Sequence, residues 1–272
     1  MEEWKSYKLS DVTDSIGDGI HGTPKYDEDG SYFFINGNNL ENGKIIIRSS
    51  TKRVSEEEAL KHKKRISERT ILVSINGTLG NTARYNYERC ILGKSACYLN
   101  VKEDVDIDFI YYVVTNKQFK DTISRLATGT TIKNVSLETM RNYEFFMPSL
   151  ENQKKISSIL KSIDDKIAIN CQINDNLEQQ ASNLFQDWLN NCENSIMLRE
   201  LTDNVLDYTP NTHEHVYLLN SSDVTEGQFT VLPLTPNINL KGQFKKRFKK
   251  GDILYSEIRP RNRHYAYCYF DA

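Results

Sequence analysis

Cysteine is sparse and unpaired in this sequence. The five cysteines, Cys90, Cys97, Cys171, Cys192 and Cys268, are an odd number with no Cys-x-x-Cys pair, which points to reduced thiols and away from a disulfide or zinc framework. No apolar run approaches the roughly eighteen residues of a membrane span, and the opening MEEWKSYKLS has neither the basic region nor the apolar stretch of a signal peptide. The expectation is a soluble cytoplasmic chain with no membrane partner. A glycine-rich nucleotide loop is missing too, since Glu88 stands where a phosphate loop ending in Gly93-Lys94-Ser95 would need its first glycine. His213 and His215 have no second pair of ligands nearby and read as surface residues, so no metal is expected. A large net charge is also lacking: the formal value is −2, which withholds the overall electropositive footprint of most phosphate binders.

The charge that is present is unevenly placed. Lys241 to Arg263 holds nine basic residues against two acidic ones and Lys44 to Arg69 nine against four, whereas Glu151 to Glu193 holds seven acids against four lysines. Within that acidic stretch Ile156, Leu160, Ile163, Ile167, Asn170, Asn174, Leu177, Ala181, Leu184 and Trp188 follow at alternating steps of four and three, the spacing that keeps one stripe of a helix facing a partner. A helix over Glu151 to Asn190 would be a rod about 60 Å long. A stripe of this length is read as intermolecular rather than packed on its own domain. Antiparallel pairing about residue 172 would set Asn170 against Asn174, giving each buried amide a partner, and Trp188 against Ile156.

The segments flanking the rod repeat one another. Leu9 to Ile16 (LSDVTDSI) returns as Leu198 to Val205 (LRELTDNV), Phe34 to Gly43 returns as Leu218 to Gly227, and Thr70 to Gly77 as Asp252 to Arg259, at offsets of 189, 184 and 182 residues. Three regions are therefore expected: a complete module over 1–148, the helix over 149–192, and an incomplete second module over 193–272. In the first module, β-type runs at Tyr32 to Ile35, Ile45 to Ile47, Ile71 to Ile75, Ala83 to Tyr87, Ala96 to Val101 and Tyr143 to Met147 alternate with Asn-Gly turns. Helices are expected over Ser55 to Lys64 and from about Asp106 to Leu126. The fold class is mixed α/β, followed by a long coiled-coil helix and a partial second copy of the α/β module.

Where module meets rod, the residues carry a resemblance. Ala127-Thr-Gly-Thr-Thr-Ile-Lys-Asn-Val-Ser136, Phe145-Phe-Met-Pro-Ser-Leu-Glu-Asn-Gln-Lys-Lys-Ile156 and Leu160-Lys-Ser-Ile-Asp-Asp-Lys-Ile167, with Thr70-Ile-Leu-Val-Ser-Ile-Asn-Gly-Thr-Leu-Gly80, are similar to the specificity subunit of type I restriction-modification systems. The family's Glu-Gln dipeptide is split here by Asn152. The resemblance implies a non-catalytic, sequence-specific DNA-binding subunit. Its domains would each read half of a split double-stranded target, with the helix as spacer, and it would direct methyltransferase and restriction subunits to that target. Adenine-N6 methylation and ATP-dependent cleavage, with their S-adenosylmethionine, ATP and magnesium, would belong to those partners, and no cofactor is expected on this chain. Consistent with that division, the sequence has no Asn-Pro-Pro-Tyr or Asp-Pro-Pro-Tyr quartet. A complete member carries a second full domain and a second antiparallel helix that this sequence lacks. Homodimerisation through the seam, or pairing with a second specificity fragment, would supply them.

Base edges are read by amide, hydroxyl and guanidinium groups on exposed loops. The candidates are Asn76, Thr78 and Asn81 in a glycine loop, Thr130, Thr131, Lys133 and Asn134 in a threonine turn, and His21 and Lys25 in an earlier loop, with Arg84 and Lys133 as phosphate clamps. A further polar loop, Asn36 to Asn39, qualifies by composition; each of these loops also reads as an ordinary turn, the loops at 21–25 and 36–39 more so than the other two. The competing function is a coiled-coil adaptor or decoy that binds methyltransferase subunits and no DNA.

Overall fold

The structure, a computed structural model, describes residues 3–192, 196–205, 207–209, 212–230, 232, 234–238, 240 and 246–270. Lys241 and Lys245, members of the second basic run, lie outside the described residues. Two compact units are present, Met1–Asn183 and Leu184–Ala272. Among the described residues no helix is long and apolar enough to cross a membrane.

The first unit runs β1 (Lys5–Lys8), β2 (Thr13–Gly17), β3 (Tyr32–Ile35), β4 (Leu40–Glu41), β5 (Lys44–Ile45), β6 (Arg53–Val54), α1 (Glu56–His62), β7 (Thr70–Ser74), β8 (Thr82–Arg84), β9 (Cys90–Leu92), β10 (Ala96–Val101), α2 (Ile107–Thr115), α3 (Lys117–Leu126), α4 (Leu137–Arg141), β11 (Glu144–Met147) and α5 (Leu150–Asn190), whose last residues, from Leu184, are counted with the second unit. Its main sheet is antiparallel in the order β2-β10-β7-β8, and a second sheet has the order β6-β3-β9 with β3 and β9 parallel. β7 is buried along its whole length. Because successive strand residues point to opposite faces, Ile71 and Val73 enter a core shared with α2, α3 and α4, while Leu72 enters a second core with Ile35, Leu40 and Leu92. That explains an uninterrupted apolar run where a half-exposed strand would alternate. β1 closes the unit by pairing antiparallel with β11, which leads into α5.

Several expected elements are shorter in the structure. The expected helix from Asp106 to Leu126 is two helices: Asn116 is extended at φ −67°, ψ 161°, and its side chain accepts the Phe119 N–H at 2.7 Å, starting α3 afresh. The strand expected to reach Tyr87 ends at Arg84, and Tyr87 has a positive φ of 60°. The run expected to reach Ile47 pairs only over Lys44–Ile45.

The rod is one continuous helix, α5, of 41 residues. Its first turns are seated on the head: Gln153 and Ser157 are buried, and Ile156 packs against the main core. Ile156 is therefore a root contact of its own domain and is removed from the free stripe. Ile163, Ile167, Leu177, Leu184 and Trp188 are exposed apolar residues, and Asn170, Asn174 and Ala181 are exposed beside them.

The second unit repeats part of the first in three dimensions. It contains α6 (Leu198–Leu201), β12 (His215–Tyr217), β13 (Val224–Thr225), β14 (Gln228–Phe229), β15 (Leu234–Pro236), β16 (Ile253–Tyr255) and β17 (Tyr265–Tyr267). Hairpin β13-β14 corresponds to β4-β5. Both turn through two residues of positive φ, Asn42 (47°) and Gly43 (78°) in one, Glu226 (49°) and Gly227 (82°) in the other. A one-turn helix before each hairpin closes the same way, with the Asn36 N–H donated to Asn39 and the Asn220 N–H to Asp223. β16-β17 corresponds to β7-β8, but Ile253 is 69% exposed where the corresponding Ile71 is 0%.

Candidate nucleic-acid interface

Four polar loops at one edge of the first unit are tied to one another by short-range bonds. The glycine loop leaves β7 at Asn76, and its shape is set internally: Ser74 uses its hydroxyl to bond the Thr78 carbonyl and its Oγ to accept the Asn81 N–H at 2.9 Å. Gly77 and Gly80 have φ of 75° and 77°, where any other residue would be strained. Opposite stands the threonine turn, closed by mutual backbone bonds between Thr128 and Asn134, with Gly129 at φ 97°.

These two loops are joined directly. The Asn76 amide donates to Asn134 Oδ1 at 3.1 Å, and the Gly77 N–H donates to the Lys133 carbonyl at 3.0 Å. Fifty-eight residues of separation between Asn76 and Asn134 are thus closed into one ridge. Thr78, Thr130, Thr131 and Lys133 are exposed on it, and Asn76, Asn81 and Asn134 are half-buried, the side chains of Asn76 and Asn134 being bonded to each other.

The ridge continues through residues that composition alone did not single out. Gly37 lies so close to β7 that an added Cβ would meet the Ser74 Cβ at 2.8 Å. Its N–H donates to Ser95 Oγ, whose hydroxyl in turn donates to Asn36 Oδ1 at 3.0 Å. The Gly93-Lys94-Ser95 turn therefore joins the Asn36 to Asn39 loop, and the exposed Lys94 belongs beside the candidate residues. The only signal for it was the tripeptide discounted as a phosphate loop. Ile20, next to His21, bridges Gly93 from the other side. His21 itself is exposed and bonded to Asp18 at 2.8 Å. Lys25 lies farther along this loop, its backbone N–H donated to Glu58 of α1.

Arg84 does not join the ridge. Its guanidinium pairs with Asp108 of α2 and lies over the Tyr111 ring at 4.7 Å from the centroid, so its charge is spent within the fold. Lys133, the other residue expected to clamp phosphate, is exposed, as is Lys94.

Burial pushes the Cys90 thiol up to about 12 and raises that of Cys97 strongly, so neither is a thiolate near neutral pH. Among the described residues no group of three or more His, Cys, Asp or Glu side chains is placed to hold a metal ion. The joined loops present hydroxyl and amide groups, with Lys133 and Lys94 exposed beside them.

Comparison with known proteins places this arrangement in a family. The model for the type I restriction modification DNA specificity domain matches residues 1–179, and the chain belongs to that family. It is 26% identical over 195 residues to the type I restriction enzyme MjaIX specificity subunit of Methanocaldococcus jannaschii, covering 69% of this chain and 44% of that protein. It is also 26% identical over 200 residues to the HindI specificity subunit of Haemophilus influenzae, covering 69% of this chain and 41% of that one. Among solved structures, the type I restriction-modification S subunit from M. genitalium superposes with a TM-score of 0.49 at 21% identity, covering 84% of this chain and 59% of that one. The chain spans less than half the length of these two curated relatives.

Proposed function

We propose that this chain is the DNA-recognition component of a type I restriction-modification assembly. The first unit reads one part of a split double-stranded target, and α5 acts as the spacer to a second reader. The observation that carries this reading is the closure of the glycine loop and the threonine turn into one ridge, in a domain whose family is defined by DNA specificity. Hydroxyl and amide groups of Thr78, Thr130, Thr131 and Asn134 would face base edges, with Lys133 and Lys94 on phosphates. Catalysis would lie with methyltransferase and restriction subunits, which would bring S-adenosylmethionine, ATP and magnesium. The exposed stripe of α5 would pair antiparallel with a second copy of this chain or with another specificity fragment.

Gel-shift titration of the purified chain with its methyltransferase partner tests the reading. Duplex DNA should be retarded with an affinity that falls steeply as salt rises. Capture of the methyltransferase with no retardation of any duplex at low salt would favour the adaptor or decoy instead.

A further inference from the structure

The base of α5 is held at two points that helix formation itself does not require. At the root, Gln153 is only 2% exposed and both ends of its amide are used. Its Oε1 accepts the Asp106 N–H at 3.0 Å, and its Nε2 donates to the Pro148 carbonyl at 2.9 Å. Asp106 is the N-cap of α2, accepting the Phe109 N–H at 2.7 Å, so one buried amide ties the start of α5 to the start of α2. Farther along, Tyr112 of α2 donates its hydroxyl to Asp164 of α5 at 2.8 Å. Residues 153 and 164 are eleven apart, which places them within about 20° on the same helix face and about 16 Å apart along the axis. Both attachments are made to one element of the head.

From this geometry we infer that Gln153 and the Tyr112–Asp164 pair are positioning residues that set the angle at which the rod leaves the head. On the functional reading above, on which this consequence rests, that angle decides which spacer length two heads can bridge. A lever estimate shows why the second point matters. Play of about 1 Å over a base of about 16 Å moves the far end of α5, about 55 Å from Gln153, by about 3.5 Å, close to the rise of about 3.4 Å for one base pair. Without the outer point the residues still seated on the head, Gln153 to Ser157, span about 6 Å, and the same play moves the tip by about 9 Å. Neighbouring spacer lengths then come within reach.

The test measures the angle first and the spacing second. In the full chain carrying C192S and R89C, spin labels on the head at position 89 and on the rod at the native, exposed Cys171 report one distance; dilution with unlabelled protein removes signals between copies. The parent should give a single narrow distribution. Y112F, D164A and Q153L should broaden it, while D164N, which keeps an acceptor oxygen, should leave it narrow. Unchanged widths in Y112F and D164A, both of which leave the buried root intact, would overturn the inference even if Q153L fails to fold. With the methyltransferase present, the broadened variants should methylate targets with spacers one base pair off, at least about tenfold better than the parent does. Broadening with no change in spacer preference overturns the spacing consequence. A parent that binds no DNA overturns the functional reading and leaves the angle result standing.

Discussion

At the residue scale, charge placement separates contacts that serve the fold from those offered to a ligand. Lys133 is exposed on the threonine turn, while the Arg84 guanidinium is taken up by Asp108 and Tyr111. K133A should therefore weaken DNA binding about equally across sequences and reduce the slope of log affinity against log salt by about one. R84A should leave that slope unchanged and cost roughly 1 kcal/mol of stability, the range for a partly exposed pair. Gel shifts at several salt concentrations, with a thermal melt, check both. Composition made the polar loops legible, because Gly, Asn and Thr between apolar runs mark turns whatever their use. The pairing of Arg84 with Asp108 and Tyr111 was not legible because those partners are remote in sequence, and the place of Lys94 was not legible because its neighbours come from other loops. The cysteines make a separate prediction. Cys171 and Cys192 are exposed, Cys97 and Cys268 are buried, and burial holds the Cys90 thiol at about 12. A thiol-disulfide reagent at pH 7.5 should titrate two thiols quickly and the other three only on denaturation; three or more fast thiols would contradict the burial.

At the scale of elements, periodicity revealed the long helix and the buried strand β7, but not the break between α2 and α3. The pattern of apolar residues continues across Asn116, and only the cap geometry shows that the chain restarts there. N116A should remove that cap and cost about 1 kcal/mol, measured by urea denaturation; no loss would mean that packing alone sets the boundary. The heptad spacing marked the helix, yet its first member, Ile156, packs on the core of its own domain, because sequence spacing does not say which partner a face meets. The repeat was legible for the same reason that it survives in the structure. The opening asparagine and the glycine at the second positive-φ position recur, as Asn36 and Gly43 and as Asn220 and Gly227, while the first positive-φ position changes from Asn42 to Glu226.

At the scale of the whole molecule, the two units differ in how completely they bury what they share. β7 is covered on both faces, while β16 leaves Ile253 and Tyr255 exposed, and α5 exposes a row of apolar side chains. Exposed apolar surface on this scale marks places where something else binds. Pairing of α5 with a second copy predicts a dimer in sedimentation equilibrium at protein concentrations on the order of 10 μM, since coiled-coil burial of this length exceeds what association costs; a monomer there, without a methyltransferase partner, would assign the seam to another chain. The central claim, a base-reading head held at a fixed distance by a rigid helix, is tested most directly by methylome sequencing of a strain expressing this chain with its methyltransferase. Expected is adenine methylation within two short specific blocks separated by a spacer of one fixed length, and palindromic blocks if the chain pairs with itself. Methylation at a continuous motif, or at no motif that depends on this chain, would contradict it.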